Sequence, residues 1–314
     1  MKKLFITIAA VLLGASLAFA QDLATVTEAY NNGLSAFQNG DQQSALKQLQ
    51  QALIDAEALG DEGAEIVSNC KTAIPGVALS IAKDFTNNQD YDKAVEYFEL
   101  AKTLAGTYGE EEIAAQATDL IPQVLMQKAN GLLNDKDYAA AAESYKAVLA
   151  ADPTNGAAAL RLGAALNSAG DKDGAIEAFK TAIENGQESA ASKQISNIYL
   201  KDAAAALKAK KYGEAVDAAL KVNEYGENAK AYQIAGQASQ SQGKAAQAIT
   251  YFEKYLELSP NAANAGQIAY TIGALAQQSG NKAKALEFYK KAVANPSLNA
   301  QLKAEAQKQI NALN

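Results

Sequence analysis

Residues 137–153 read DYAAAAESYKAVLAADP, and the spacing of that stretch decides the fold. Tyr138, Ala141, Tyr145 and Val148 fall at steps of three, four and three, so they share one stripe of a helix. Large and small side chains alternate along the stripe. Pro153 ends the helix, because a proline disfavours helical backbone in the residue before it, here Asp152. A single helix cannot bury such a stripe and needs neighbours of the same kind.

The chain supplies them. Placing the central alanine in register gives Ala45, Ala94, Ala141, Ala175, Ala215, Ala248 and Ala285. Four positions on stand Leu49, Phe98, Tyr145, Phe179, Ala219, Phe252 and Tyr289, and three further stand Ala52, Ala101, Val148, Ala182, Val222, Tyr255 and Ala292. The alanines are separated by 49, 47, 34, 40, 33 and 37 residues, which brackets a repeat of about 34. Upstream of each lies a second helical pattern and a tight turn, clearest in LGAALNSAGDKDGA at 162–175. There Gly163 sits where two helices can touch, and Gly170-Asp171 closes the turn. Gly33 with Gly40-Asp41, Gly236 with Gly243-Lys244 and Gly273 with Gly280-Asn281 repeat the arrangement, and an Asp or Asn after the glycine can cap the next helix. The unit is helix, turn, helix and a linker often closed by proline, as at Pro153, Pro260 and Pro296.

This pattern resembles the tetratricopeptide-repeat family. Leu162-Gly163, the Tyr91/Ala94/Phe98 core and the terminal prolines carry the likeness, which covers nearly all of 22–314; no tryptophan opens the first helices, and Tyr232 is the good aromatic match there. The resemblance implies an all-α, right-handed superhelical solenoid of about seven helix–turn–helix repeats over 21–314. Residues 57–127 depart from it as an expanded section, since Ile74-Pro75 and Ile121-Pro122 recur 47 residues apart inside the long early intervals. Long first helices, bent or restarted at Pro75 and Pro122, or a short extra helix abutting them, would account for the length. In 297–314, Leu302, Ala306, Ile310 and Leu313 share one face. A capping helix over the last repeat is the expected reading, with a docking helix as the alternative.

The formal charge of the 314-residue chain is −7. It becomes −9 without the N-terminal segment that carries Lys2 and Lys3. That balance argues against nucleic acid or an anionic membrane as the main partner, and Arg161 is the lone arginine. The opening MKKLFITIAAVLLGASLAFAQD reads as a secretory signal over 1–20, with Ala18 and Ala20 preceding a cut at Gln21. An uncleaved anchor is the competing reading. No cysteine follows the apolar run, so a lipoprotein route is not expected. The mature chain is expected to be exported and not membrane-spanning, periplasmic first and extracellular second.

Catalytic chemistry finds little footing. Without histidine there is no Ser/His or Cys/His pair and no histidine metal site, and one cysteine makes no thiolate cluster. No catalytic residue, metal or cofactor is expected, and the chain reads as non-enzymatic. Cys70 is a buried small apolar residue or, alternatively, an intermolecular thiol. Glu110, Glu111 and Glu112 suit a helix start better than a cation site. In Tyr97-Phe98, Tyr251-Phe252 and Phe288-Tyr289, one ring of each pair is expected to fill the core while its neighbour lies between helices.

In the family, first helices line a concave groove. The resemblance therefore assigns the partner-binding face to Tyr30, Phe37, Asn87, Asn130, Asn134, Asn167, Gln233, Gln237, Gln240, Tyr270 and Gln277. Amides dominate and can bond the backbone of an extended peptide or, equally, a sugar. The expected function is a protein–protein interaction scaffold in the bacterial cell envelope, gripping an extended, weakly charged segment with little dependence on salt. The alternatives are a periplasmic carbohydrate- or peptide-ligand carrier, or amides that merely solvate the surface. Tyr30, Leu34 and Phe37 either pack under the N-terminal end or, if exposed, mediate self-association.

Overall fold

The computed structural model describes residues 22–314; the expected signal segment, 1–20, lies outside the described residues. Regular structure among the described residues is entirely helical. Packing divides them into two compact units, 22–136 with 150–153, and 137–149 with 154–314.

The first unit runs through α1 (Leu23–Gln38), α2 (Gln42–Ala58), a 3-10 turn (Gly60–Gly63), α3 (Ala64–Asn87), α4 (Tyr91–Tyr108) and α5 (Glu111–Asn134). Each helix packs on the next, around one core that includes Val26, Leu49, Ile74, Phe98 and Val124. The expanded section is explained by α3 and α5, which are 24 residues each and continue through Pro75 and Pro122 without a break. Of the expected outcomes, a restart at the proline does not occur. A proline inside a helix removes one backbone hydrogen bond, and Pro75 is buried in the same stretch of α3 as Ile74 and Val77.

The second unit holds most of α6 (Tyr138–Ala151), then α7 (Gly156–Ala169), α8 (Lys172–Ala182), α9 (Glu188–Lys208), α10 (Tyr212–Glu224), α11 (Ala229–Ser241), α12 (Ala245–Leu258), α13 (Ala265–Gln278), α14 (Lys282–Ala294) and α15 (Ala300–Leu313). From α7 onward each helix again packs on its successor. The link from α8 to α9 stays coiled but breaks helical geometry at Asn185 and Gly186, the latter at φ 82°. α15 lays Ala306 and Ile310 on the last hairpin, with Leu302 and Leu313 half-buried beside them.

One register recurs in both units. A small residue on the first helix stands sixteen positions before the large residue of the second: Gly33 and Leu49, Ala82 and Phe98, Gly163 and Phe179, Gly236 and Phe252, Gly273 and Tyr289. A β-carbon on Gly163 would lie 2.5 Å from the Phe179 ring, and one on Gly33 2.8 Å from Leu49. At Gly33, Gly163, Gly236 and Gly273 the absence of a side chain is what lets the hairpin close, whereas the α3–α4 hairpin accepts the methyl group of Ala82. The turns recur too. Gly40, Gly170, Gly243 and Gly280 take φ of 83°, 91°, 74° and 77°, and Gln89, Lys136 and Lys210 hold the same left-handed position at 61°, 63° and 60°. Asp41, Asp90, Asp171 and Asn281 follow and accept hydrogen bonds from backbone N–H groups three residues on.

Candidate partner-binding face

Taking the small residue of each first helix as zero, positions −6, −3, +1, +4 and +5 fall within a wedge of about 100°. In the second unit these are Ala157, Leu160, Ala164, Asn167 and Ser168 on α7, and Asn197, Leu200, Ala204, Leu207 and Lys208 on α9. On α11 they are Lys230, Gln233, Gln237, Gln240 and Ser241; on α13 they are Gln267, Tyr270, Ala274, Gln277 and Gln278. All but Gln233 are exposed or half-exposed, so each first helix turns one continuous stripe outward. The other side of the same helices is buried, as at Ala231, Ala235 and Ala238 on α11. No Asp or Glu occupies any of these positions.

The expected site residues divide on inspection. Asn167 and Gln240 are exposed, and Gln237 is half-exposed on the same stripe as Gln240. Gln233 is a correction: only 9% exposed, it accepts a hydrogen bond from the Lys230 ammonium at 2.9 Å. Gln277 is committed elsewhere. It accepts from the Tyr289 hydroxyl at 2.7 Å and donates to Gln309 at 3.0 Å, tying α13 to α14 and α15. Tyr270 stands half-buried with its ring 5.5 Å from that of Tyr289. Burial first, then the neighbouring Tyr270 and Glu305, push the Tyr289 hydroxyl up to about 12, so it remains a donor to Gln277.

In the first unit Asn87 and Asn134 are exposed and Asn130 is half-exposed. Tyr30 and Leu34 pack against the core, leaving Phe37 as the exposed member of the early apolar cluster at 37%. The free side of the α1/α2 hairpin is polar instead, a hollow of about 430 Å³ lined by Ala29, Asn32, Ser35, Gln48 and Gln51. The stripe on α9 escaped sequence reasoning altogether. Its zero position is Ala203 rather than glycine, and its partner sixteen residues on is only Ala219, so neither of the usual markers stands out. The constant offset of sixteen would have found it.

The remaining candidates resolve as structure. Glu111 and Glu112 lie in the first turn of α5, and among the described residues no cluster of His, Cys, Asp or Glu could hold a metal ion. Cys70 is fully buried, and desolvation pushes its thiol up to about 11. Phe98, Phe252 and Tyr289 fill the core; Tyr97 stacks on Phe85 with ring centroids 5.4 Å apart. No described helix is long and apolar enough to cross a membrane.

Models of the tetratricopeptide repeat match residues 126–190, 229–262 and 266–295. No curated protein sequence matches the chain. Among solved structures, MamA is 24% identical at a TM-score of 0.31, with 57% of this chain and 96% of that chain covered. PilF from Pseudomonas aeruginosa is 19% identical at 0.30, covering 62% and 90%. YrrB, described as a TPR protein with an unusual peptide-binding site, is 20% identical at 0.32, covering 63% and 97%.

Proposed function

We propose, on the premise that this chain belongs to the tetratricopeptide-repeat family, that it is a non-enzymatic scaffold holding an extended partner segment along its first-helix stripes. The observation that carries this reading is the exposed stripe of α7 and α11, where Asn167, Gln237 and Gln240 present amides that are not consumed by the fold. An amide donates and accepts at once, which matches the alternating donors and acceptors of a peptide backbone. The Lys2-Lys3 and apolar opening of the sequence supports export to the cell envelope.

The test is capture of envelope proteins on immobilised 21–314, compared with the triple variant Asn167→Ala, Gln237→Ala, Gln240→Ala. Loss of specific partners from the triple variant is expected, and an unchanged set overturns the reading. Gln233 and Gln277 are left intact, because their substitution would loosen α11 or the α13–α15 junction and mimic a binding defect. The polar hollow at Asn32, Ser35, Gln48 and Gln51, in which the Gln48 side-chain oxygen is buried without a partner, favours a second reading as a carrier of a small polar ligand such as a sugar. Retention on glycan columns that is lost with Gln48→Leu would support it.

A further inference from the structure

We infer that the segment held along α7, α9, α11 and α13 is acidic. This deepens the scaffold reading and rests on it. The chain has 35 acidic residues among 314 and a net charge of −7, so the stripe positions of four helices drawn at random would carry about two carboxylates. The first-helix stripes of the second unit carry none, and they carry Lys208 and Lys230, with Lys201 on the stripe's edge.

Many carboxylates of this unit lie on the second helices, where neighbouring lysines pair with several of them; Asp202 on α9 lies off the stripe and meets Lys172 of α8 at 2.7 Å. Glu177 meets Lys180 at 2.7 Å, Glu257 meets Lys254 at 2.8 Å and Glu287 meets Lys291 at 2.6 Å. The stripe lysines differ. Lys201 and Lys208 are exposed and meet no carboxylate among the described residues. The Lys230 ammonium is steadied by a neutral amide, Gln233, which holds its position without cancelling its charge. The stripes of α9 and α11 therefore bear lysines that no carboxylate pairs, whereas near the α13 stripe the Glu305 carboxylate is held by Gln309, the partner of Gln277.

Charge arranged this way governs which partner is accepted more than how tightly it is held. A basic segment would meet only repulsion, and a neutral one would leave the lysines idle. An acidic segment would pair with them while the amides of Asn167, Gln237 and Gln240 bond its backbone. Half-exposed Leu200 and Leu207 adjoin Lys201 and Lys208 along α9, so a segment that pairs an apolar residue with a neighbouring Asp or Glu is the chemistry that fits.

The experiment pans a random dodecapeptide display library on folded 21–314. Enrichment of Asp and Glu among captured sequences, by about threefold or more over the input, is expected. It should vanish with the triple variant Lys201→Gln, Lys208→Gln, Lys230→Gln and persist with the second-helix control Lys221→Gln, Lys290→Gln. Captured peptides with no acidic bias, or a bias that survives the triple variant, overturn the inference. If such unbiased peptides are still lost with the Asn167, Gln237 and Gln240 alanine variant, the groove stands and only its preference for acid falls. Capture indifferent to both variant sets, or no capture at all, overturns the groove as well.

Discussion

Gly236 and Phe252 meet so closely that a β-carbon on the glycine would lie 2.5 Å from the Phe252 ring. Phe252 is 1% exposed and packs in the core, so the ring has nowhere to retreat. We expect Gly236→Ala to destabilise the fold by about 1–3 kcal/mol through overpacking. Gly106→Ala is the matched control. It lies inside α4 with no atom within 4 Å of its would-be β-carbon, so it should stabilise by about 0.5–1 kcal/mol from helix propensity alone. Urea denaturation of both variants checks the pair; equal and opposite shifts from those stated would remove the close-approach argument.

Gln89 and Lys210 occupy the left-handed turn position at φ 61° and 60°, where other copies use glycine. An L-residue there costs roughly 1–2 kcal/mol, partly offset by the entropy that glycine loses on folding. Gln89→Gly and Lys210→Gly should each raise the urea midpoint, by the equivalent of about 0.5–1 kcal/mol. Unchanged midpoints would mean that side-chain contacts at these turns outweigh the strain.

Ser239 is fully buried on α11 and its hydroxyl has no hydrogen-bond partner. Such a group carries its desolvation cost without return, so Ser239→Ala should leave stability unchanged or raise it by about 1 kcal/mol. A loss of stability, measured by thermal melting, would show that the hydroxyl is satisfied in solution.

The helix-capping carboxylates make stability fall in acid. Asp22 and Asp41 sit below the usual value of 3.8 because they accept hydrogen bonds from Thr25 and Ser44, and Asp90 because it is bonded first to Lys93. With the folded value depressed, their stabilising contribution is present above the unfolded value and drains away as pH falls through the folded one. Melting temperature should therefore decline below about pH 4. Asp22→Asn, Asp41→Asn and Asp90→Asn together keep the caps but remove the titration, and should flatten that decline.

Cys70 should be inert while the chain is folded, since burial keeps the thiol protonated and out of reach. Ellman's reagent at pH 8 should register one thiol in denaturant and essentially none without it. Prompt reaction of the native protein would contradict the packing around α3.

The parts of the architecture that were legible beforehand are those written in local periodicity. The Tyr138–Val148 stripe, the Gly170-Asp171 turn and the contact glycines at 33, 163, 236 and 273 depend on residues within one hairpin. The α9 hairpin was legible only in its second helix, because Ala203 and Ala219 are both small and neither marks a helix crossing. The candidate face was half readable. Asn167 and Gln240 lie where the pattern placed them, but Gln233 and Gln277, of the same residue type on the same stripe, are occupied by Lys230 in one case and by Tyr289 and Gln309 in the other.

From the sequence by itself came the helical hairpin, its repeat and its turn chemistry, because steps of three and four and a left-handed glycine act over short stretches of chain. The folded arrangement alone decided that α3 and α5 continue through their prolines, which amides remain free, and that Lys201 and Lys208 meet no carboxylate among the described residues. Exposure and pairing depend on what the neighbouring helix brings within reach, and no spacing along a single chain segment encodes that.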